Sequence, residues 1–139
     1  MKKYLDITQE EKELLLKDLS ARLPYRVYIS PVDCGKAILI GIKDGNPLLW
    51  DTIHKKEYDK PWDIDYIKPY LRPMSSMTEE EKKEFCKIEG RLNFPCKYIK
   101  LTFSVDELDW LNAHHFDYRG LIEKGFAIEV TKDNNPYKE

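Results

Sequence analysis

The chain has 139 residues, 23 basic and 25 acidic side chains, a formal net charge of −2, and 42% hydrophobic and 35% charged residues. That length suits one domain with one core, and the balance is too apolar for a disordered segment and too interrupted by charge for a membrane span. Charge is also even along the chain, with five basic and five acidic residues over 1–23, eight and seven over 24–73, and ten and thirteen over 74–139. No stretch has the Lys/Arg excess that sequence-independent polyanion binding requires.

The N-terminal residues Met1-Lys2-Lys3-Tyr4-Leu5-Asp6 run into Glu and Lys without an apolar stretch, which is not a secretory pattern. Three cysteines, Cys34, Cys86 and Cys96, make an odd set with no close pair, and the expectation is reduced thiols in a cytoplasmic protein. One domain is expected over 1–131, with 132–139 as a frayed tail.

Three segments, Thr8-Gln9-Glu10-Glu11, Thr78-Glu79-Glu80-Glu81 and Ser104-Val105-Asp106-Glu107, carry the capping box. There a hydroxyl accepts from the N–H three residues on and the Glu reaches back. The first helix is predicted from Gln9 to Arg22, with Leu15, Leu16, Leu19 and Leu23 as its apolar stripe and Pro24 as its stop. Tyr25, Val27 and Ile29 alternate with Arg26, Tyr28 and Ser30 as a half-buried strand. A turn at Asp33-Cys34-Gly35 leads into a central strand over Ala37–Ile42, and Asp44-Gly45-Asn46-Pro47 turns the chain back along Leu48–His54.

Trp62, Ile64 and Tyr66 predict a fourth short strand or an extended segment, and Lys68–Met77, with Pro69 and Pro73, an ordered connector. A second helix is predicted over Glu79–Glu89, with a Glu79–Lys83 pair, and a third over Val105–His114, with Leu108 and Leu111 buried. Between them Lys97–Phe103 alternates as a strand. A last short helix over Tyr118–Lys124, closed by Gly125, and a strand at Phe126–Val130 complete the expected elements. The fold class is α+β: a small twisted antiparallel sheet of three to five strands, or a barrel of Tudor or Src-homology-3 type, with an N-terminal helix and a C-terminal strand-plus-helices unit.

The densest reactive-looking cluster is Trp110 to Arg119. His114, His115 and Asp117 are the candidate catalytic residues of a small metal-assisted hydrolase or phosphodiesterase. The competing reading is structural, with the histidines at the negative end of a helix dipole, Asp117 capping the next helix and Arg119 paired to an acid. His54, His114 and His115 are the histidines open to a metal, but paired ligand spacing is missing, so neither a metal site nor a cofactor is expected. Cys34 lies in a turn with no neighbouring base in the sequence, and Cys86 reads as a small buried hydrophobe. No glycine-rich phosphate loop, Gly-x-Ser-x-Gly elbow or His-Glu-x-x-His helix occurs.

Aromatic residues are the other candidates. Trp50, Tyr58, Trp62, Tyr66 and Tyr70 fall on or beside the strands, with Tyr25 and Tyr28. They serve either to fill a thin core or to present a binding face, because Tyr and Trp offer large contact area at low entropy cost. The predicted binding set is these five residues and Arg119. A non-catalytic module for a protein partner is the leading reading, and a nucleic-acid-binding face around Lys55, Lys56 and Lys60 is a less favoured one. No membrane role is expected.

Three long phrases carry a resemblance: Leu14 to Tyr25, Ile67 to Thr78, and Asp109 to Gly125. Together they resemble a group of short proteins encoded by gut bacteria, their phages and integrated elements. The resemblance implies an accessory protein of bacterial or phage origin acting in the bacterial cytoplasm, and it implies no activity. The segment Ile38–Tyr58 matches none of these phrases, and the expectation is that members differ there and choose partners there.

Overall fold

The computed structural model describes residues 7–88 and 103–137. Helix α1 runs Gln9–Arg22, α2 Glu79–Ile88 and α3 Val105–Ala113. The strands are β1 Tyr28–Pro31, β2 Ala37–Lys43, β3 Asn46–Asp51, β4 Lys56–Glu57, β5 Ile67–Pro73, β6 Phe116–Asp117 and β7 Ile128–Glu129. The architecture is α+β. The sheet has the order β4-β3-β2-β1-β5-β6, with β7 also on β5, and it is open rather than closed into a barrel. Pairing is antiparallel from β4 to β5, whereas β6 and β7 each lie parallel to β5.

All three capping boxes form, each with the hydroxyl accepting at 3.2 Å and the Glu carboxylate accepting from the cap N–H at 2.7–2.9 Å. Leu15 and Leu19 of α1 are fully buried against the sheet. Each contributes roughly 1.5–3 kcal/mol by leaving water. They join Ile29, Leu39, Leu49, Ile67, Leu71 and Leu121 in the main core. A second cluster, Met77, Phe85, Leu111 and Phe116, holds α2 and α3 together. Asp44 (φ 52) and Gly45 (φ 78) both take left-handed backbone in the β2–β3 turn. That is the geometry a tight hairpin with matching twist demands.

Several expectations need correction. The first strand starts only at Tyr28, because Arg26 takes left-handed backbone (φ 58) after a 3-10 turn at Leu23–Tyr25. The third strand ends at Asp51 rather than His54, since the Asp51 carboxylate accepts from the N–H groups of Ile53 and His54 and turns the chain. Ile64–Tyr66 is a 3-10 turn capped by Asp63, not a strand. The first part of the expected connector Lys68–Met77 belongs to the strand β5, with Ile67, Pro69 and Leu71 buried between half-buried Lys68, Tyr70 and Arg72.

The pair on α2 is Glu79 with Lys82 at 3.4 Å, not Lys83. Leu108 is only half-buried, and Leu111 carries that helix's apolar contact. Residues 121–125 form turns in place of a helix. In the tail, the Tyr137 hydroxyl donates to the Tyr70 carbonyl (2.7 Å) and accepts from Tyr28 N–H (3.0 Å). Cys86 is disulfide-bonded, so the reduced-thiol expectation fails for it, although it is buried as expected. The strand expected at Lys97–Phe103 falls almost wholly outside the described residues.

Candidate functional site

The residues of the His114–Arg119 corner turn away from one another. His114 caps α3, its Nδ1 lies 2.8 Å from the Trp110 carbonyl, and its ring stacks on the Trp110 indole at 4.0 Å. His115 takes left-handed backbone (φ 65) and stacks on Tyr137 at 3.6 Å, within 12° of parallel. Burial, helped by the charges of Arg22, His114 and Arg72, pushes the His115 imidazole down to a pKa of about 4. Asp117 is buried, and both its oxygens accept backbone N–H groups at 2.9 Å, from Leu121 and Ile122.

Arg119 donates to Asp18 at 3.1 Å, and Asp18 also holds Arg22 through two bonds of 2.7 and 3.1 Å. Asp18 and Arg22 are both fully buried, and Arg22 further donates to the Phe116 carbonyl at 2.7 Å. The corner therefore ties α1 to β6 and the turn after it. Its carboxylates and the His114 Nδ1 are occupied by backbone groups and by arginines, whereas His115 Nδ1 is buried without a hydrogen-bond partner. No group of three or more His, Cys, Asp or Glu among the described residues is arranged to hold a metal ion.

The predicted aromatic set divides. Tyr58, Trp62 and Tyr66 line one shallow groove of about 550 Å³, together with Asp59, Lys60, Pro61 and Asp63. Tyr58 and Trp62 meet edge to face at 5.4 Å, and Trp62 N–H is anchored on the Pro47 carbonyl at 2.8 Å. Trp50 stands elsewhere, in a concavity with Ile38 and Ile40, and Tyr70 offers its carbonyl to Tyr137. Arg119 belongs to the buried corner, not to this groove. Lys55, Lys56 and Lys60 are exposed but interleaved with the exposed Glu57 and Asp59.

One constellation escaped the sequence reading. Tyr58 lies within hydrogen-bonding reach of the free thiol of Cys34, and burial, with the charges of Cys34 and Asp51, raises the phenol to about 12. Asp51 is held below the usual carboxylate range by its bond to His54 Nδ1 at 2.7 Å, against the opposing effect of burial. The Asp51–His54 spacing of three is a signal the sequence offered. The approach of Cys34 to Tyr58 depends on tertiary folding and left none.

No protein-family model, curated protein or solved structure matches the chain. No helix among the described residues is long and apolar enough to cross a membrane.

Proposed function

We propose that this chain is a non-catalytic protein-binding module, an accessory protein of bacterial or phage origin, whose groove at Tyr58, Trp62 and Tyr66 takes a proline-rich segment of its partner. One observation carries the reading: three of the five predicted aromatic residues share an open groove, while the candidate catalytic residues are consumed in packing. Aromatic walls suit an extended polyproline helix, which arrives already ordered and loses little entropy on docking. Asp59 and Asp63 against Lys60 leave the rim with an excess of one negative charge, which favours a basic residue in the partner segment.

The hydrolase reading has less support, since His114, His115 and Asp117 face three different neighbours. Binding of nucleic acid is less favoured too, because carboxylates alternate with the exposed lysines. Two-dimensional NMR tests the proposal by titrating the chain with proline-rich decapeptides that carry one arginine. The Trp62 indole signal is expected to shift saturably, and the shift to disappear in Tyr66→Leu. Peptides that leave that signal in place, or that shift it equally in the variant, refute the reading.

A further inference from the structure

A second concavity lies on the face of the sheet turned away from the core. Ile38 and Ile40 of β2 and Trp50 of β3 alternate with the buried Leu39 and Leu49, so they stand on the opposite face. With Leu23, Pro24 and Arg26 they bound a groove of about 570 Å³. Ile40, in the β2 bulge, is 42% exposed. Arg26 also lines an adjoining cavity of about 220 Å³, walled by Tyr25, Tyr28, His115, Pro136 and Tyr137. Arg26, an exposed residue, thus lines both the groove, where isoleucine and tryptophan side chains mix with polar surface, and the small polar chamber.

We propose that Arg26 and the two cavities it joins bind a small carboxylic acid with an apolar body, the guanidinium taking the carboxylate and the groove the hydrocarbon. The charge of the site calls for an anion. No acidic residue lines either cavity, and no ion pair or hydrogen bond holds the Arg26 side chain among the described residues. Behind the chamber, one carboxylate, Asp18, serves two guanidiniums, Arg22 and Arg119, so that buried group keeps a net positive charge. Arg22 is fully buried, its Nη1 has no partner, and its charge is felt by both His115 and Tyr137.

Arg26 (φ 58), which follows a 3-10 turn, and His115 (φ 65), which follows α3, both take the left-handed backbone common just past a helix end, and both line the chamber. A planar guanidinium is matched to a carboxylate by two parallel N–H bonds. The groove floor presents side chains, because the strands beneath it pair with each other at Tyr28↔Ile38 and Ile38↔Trp50. A peptide would find few backbone partners there, whereas a hydrocarbon needs none. The volume of the groove is that of ordinary small-molecule sites.

Isothermal titration of the full chain with octanoate tests the site. One saturable event is expected, with octan-1-ol and acetate each binding about tenfold or more weakly, since each lacks half of the recognised chemistry. Arg26→Gln is expected to weaken octanoate by a similar factor. Ile40→Ala, at a position 42% exposed, is expected to weaken octanoate severalfold through the groove. Octanoate that fails to saturate, or that binds both variants as it binds the parent, overturns the proposal. A leucine-terminated hexapeptide that binds through its free carboxylate where octanoate does not overturns it as well.

Discussion

The corner from His114 to Arg119 and the groove from Tyr58 to Tyr66 are opposites in what they display and what they leave available. The corner concentrates imidazole, carboxylate and guanidinium, yet Asp117 satisfies two backbone donors, Asp18 pairs with two arginines, and each histidine ring lies against an aromatic one. The groove concentrates phenol and indole, residues that also fill cores, yet all three of its rings stay half-exposed around one concavity. Reactive side chains beside helix ends and short strands are drawn to the orphan N–H and C=O groups found there. Reactivity on paper is therefore poor evidence of availability. A side chain is free for function when the backbone near it has no unmet demand.

The sharpest way to break this contrast is Asp18→Ala. Removing the carboxylate strands one fully buried guanidinium and one mostly buried, and the expected loss is about 3–5 kcal/mol. Denaturant unfolding reads it as a fall in the midpoint. A loss below about 1 kcal/mol would mean that the corner does not hold the fold together.

Next in size is the pH response of His115. Its imidazole is depressed to about 4 in the folded chain from 6.5, chiefly by burial. Stability from the neutral ring is therefore fully present above pH 6.5 and is lost as pH falls toward 4, because the unfolded chain binds the proton more readily. The whole window is worth no more than about 3 kcal/mol. Unfolding at pH 7 and pH 5 in the parent and in His115→Gln isolates it: the parent should weaken more between the two. Asp51 is lowered from its ordinary value by His54 against burial, and Glu81 is lowered too, since burial, its largest single influence, is overcome by the bonds from Arg72 and Thr78 together, so both add little in that interval. Equal pH dependence in both proteins would place the ring in water.

Asp117→Ala is expected to cost about 2 kcal/mol, because the N–H groups of Leu121 and Ile122 lose their acceptor. Asp117→Asn should recover part of this through its one remaining carbonyl. That rescue separates a capping role from a catalytic one, for which the amide is as dead as alanine.

Sequence range decides how much of this was legible. The helix starts were, because a capping box lies within four residues and needs no tertiary help. Strand β5 was hidden by its prolines, although Ile67, Pro69 and Leu71 alternate with Lys68, Tyr70 and Arg72 as a strand should. The ladder of β5 is shared among β1, β6 and β7, each contributing a few residues, so an absent N–H at Pro69 is tolerated. β6 has two residues, too few for any pattern to register, whereas β7, equally short, falls within the strand expected at Phe126–Val130. In the corner, the Asp18–Arg22 spacing of four was readable on α1, but the arrival of Arg119 from 101 positions away was not. Half of the groove was readable: the aromatic residues were recognised as a set, but Tyr58, Trp62 and Tyr66 come together on the irregular chain between β4 and β5, whose path is set by tertiary contacts, while Trp50 stands apart on β3.

The smallest effect is expected where the contrast matters most. Tyr66 lies outside the residues packed against either core, and its ring forms a wall of the groove. Tyr66→Leu keeps an apolar side chain on that wall and should shift stability by no more than about 0.5 kcal/mol, the usual range for a surface change. Removing a flat aromatic contact from a binding groove commonly costs about 2 kcal/mol or more of affinity, roughly thirtyfold. The variant should therefore fold like the parent and lose its peptide. A Tyr66→Leu protein that unfolds early would show the ring to be part of the core, and the groove would then be packing left open at its rim. Unchanged stability with lost binding would show that this aromatic wall, unlike Asp117 or Asp18, is not needed to hold the fold.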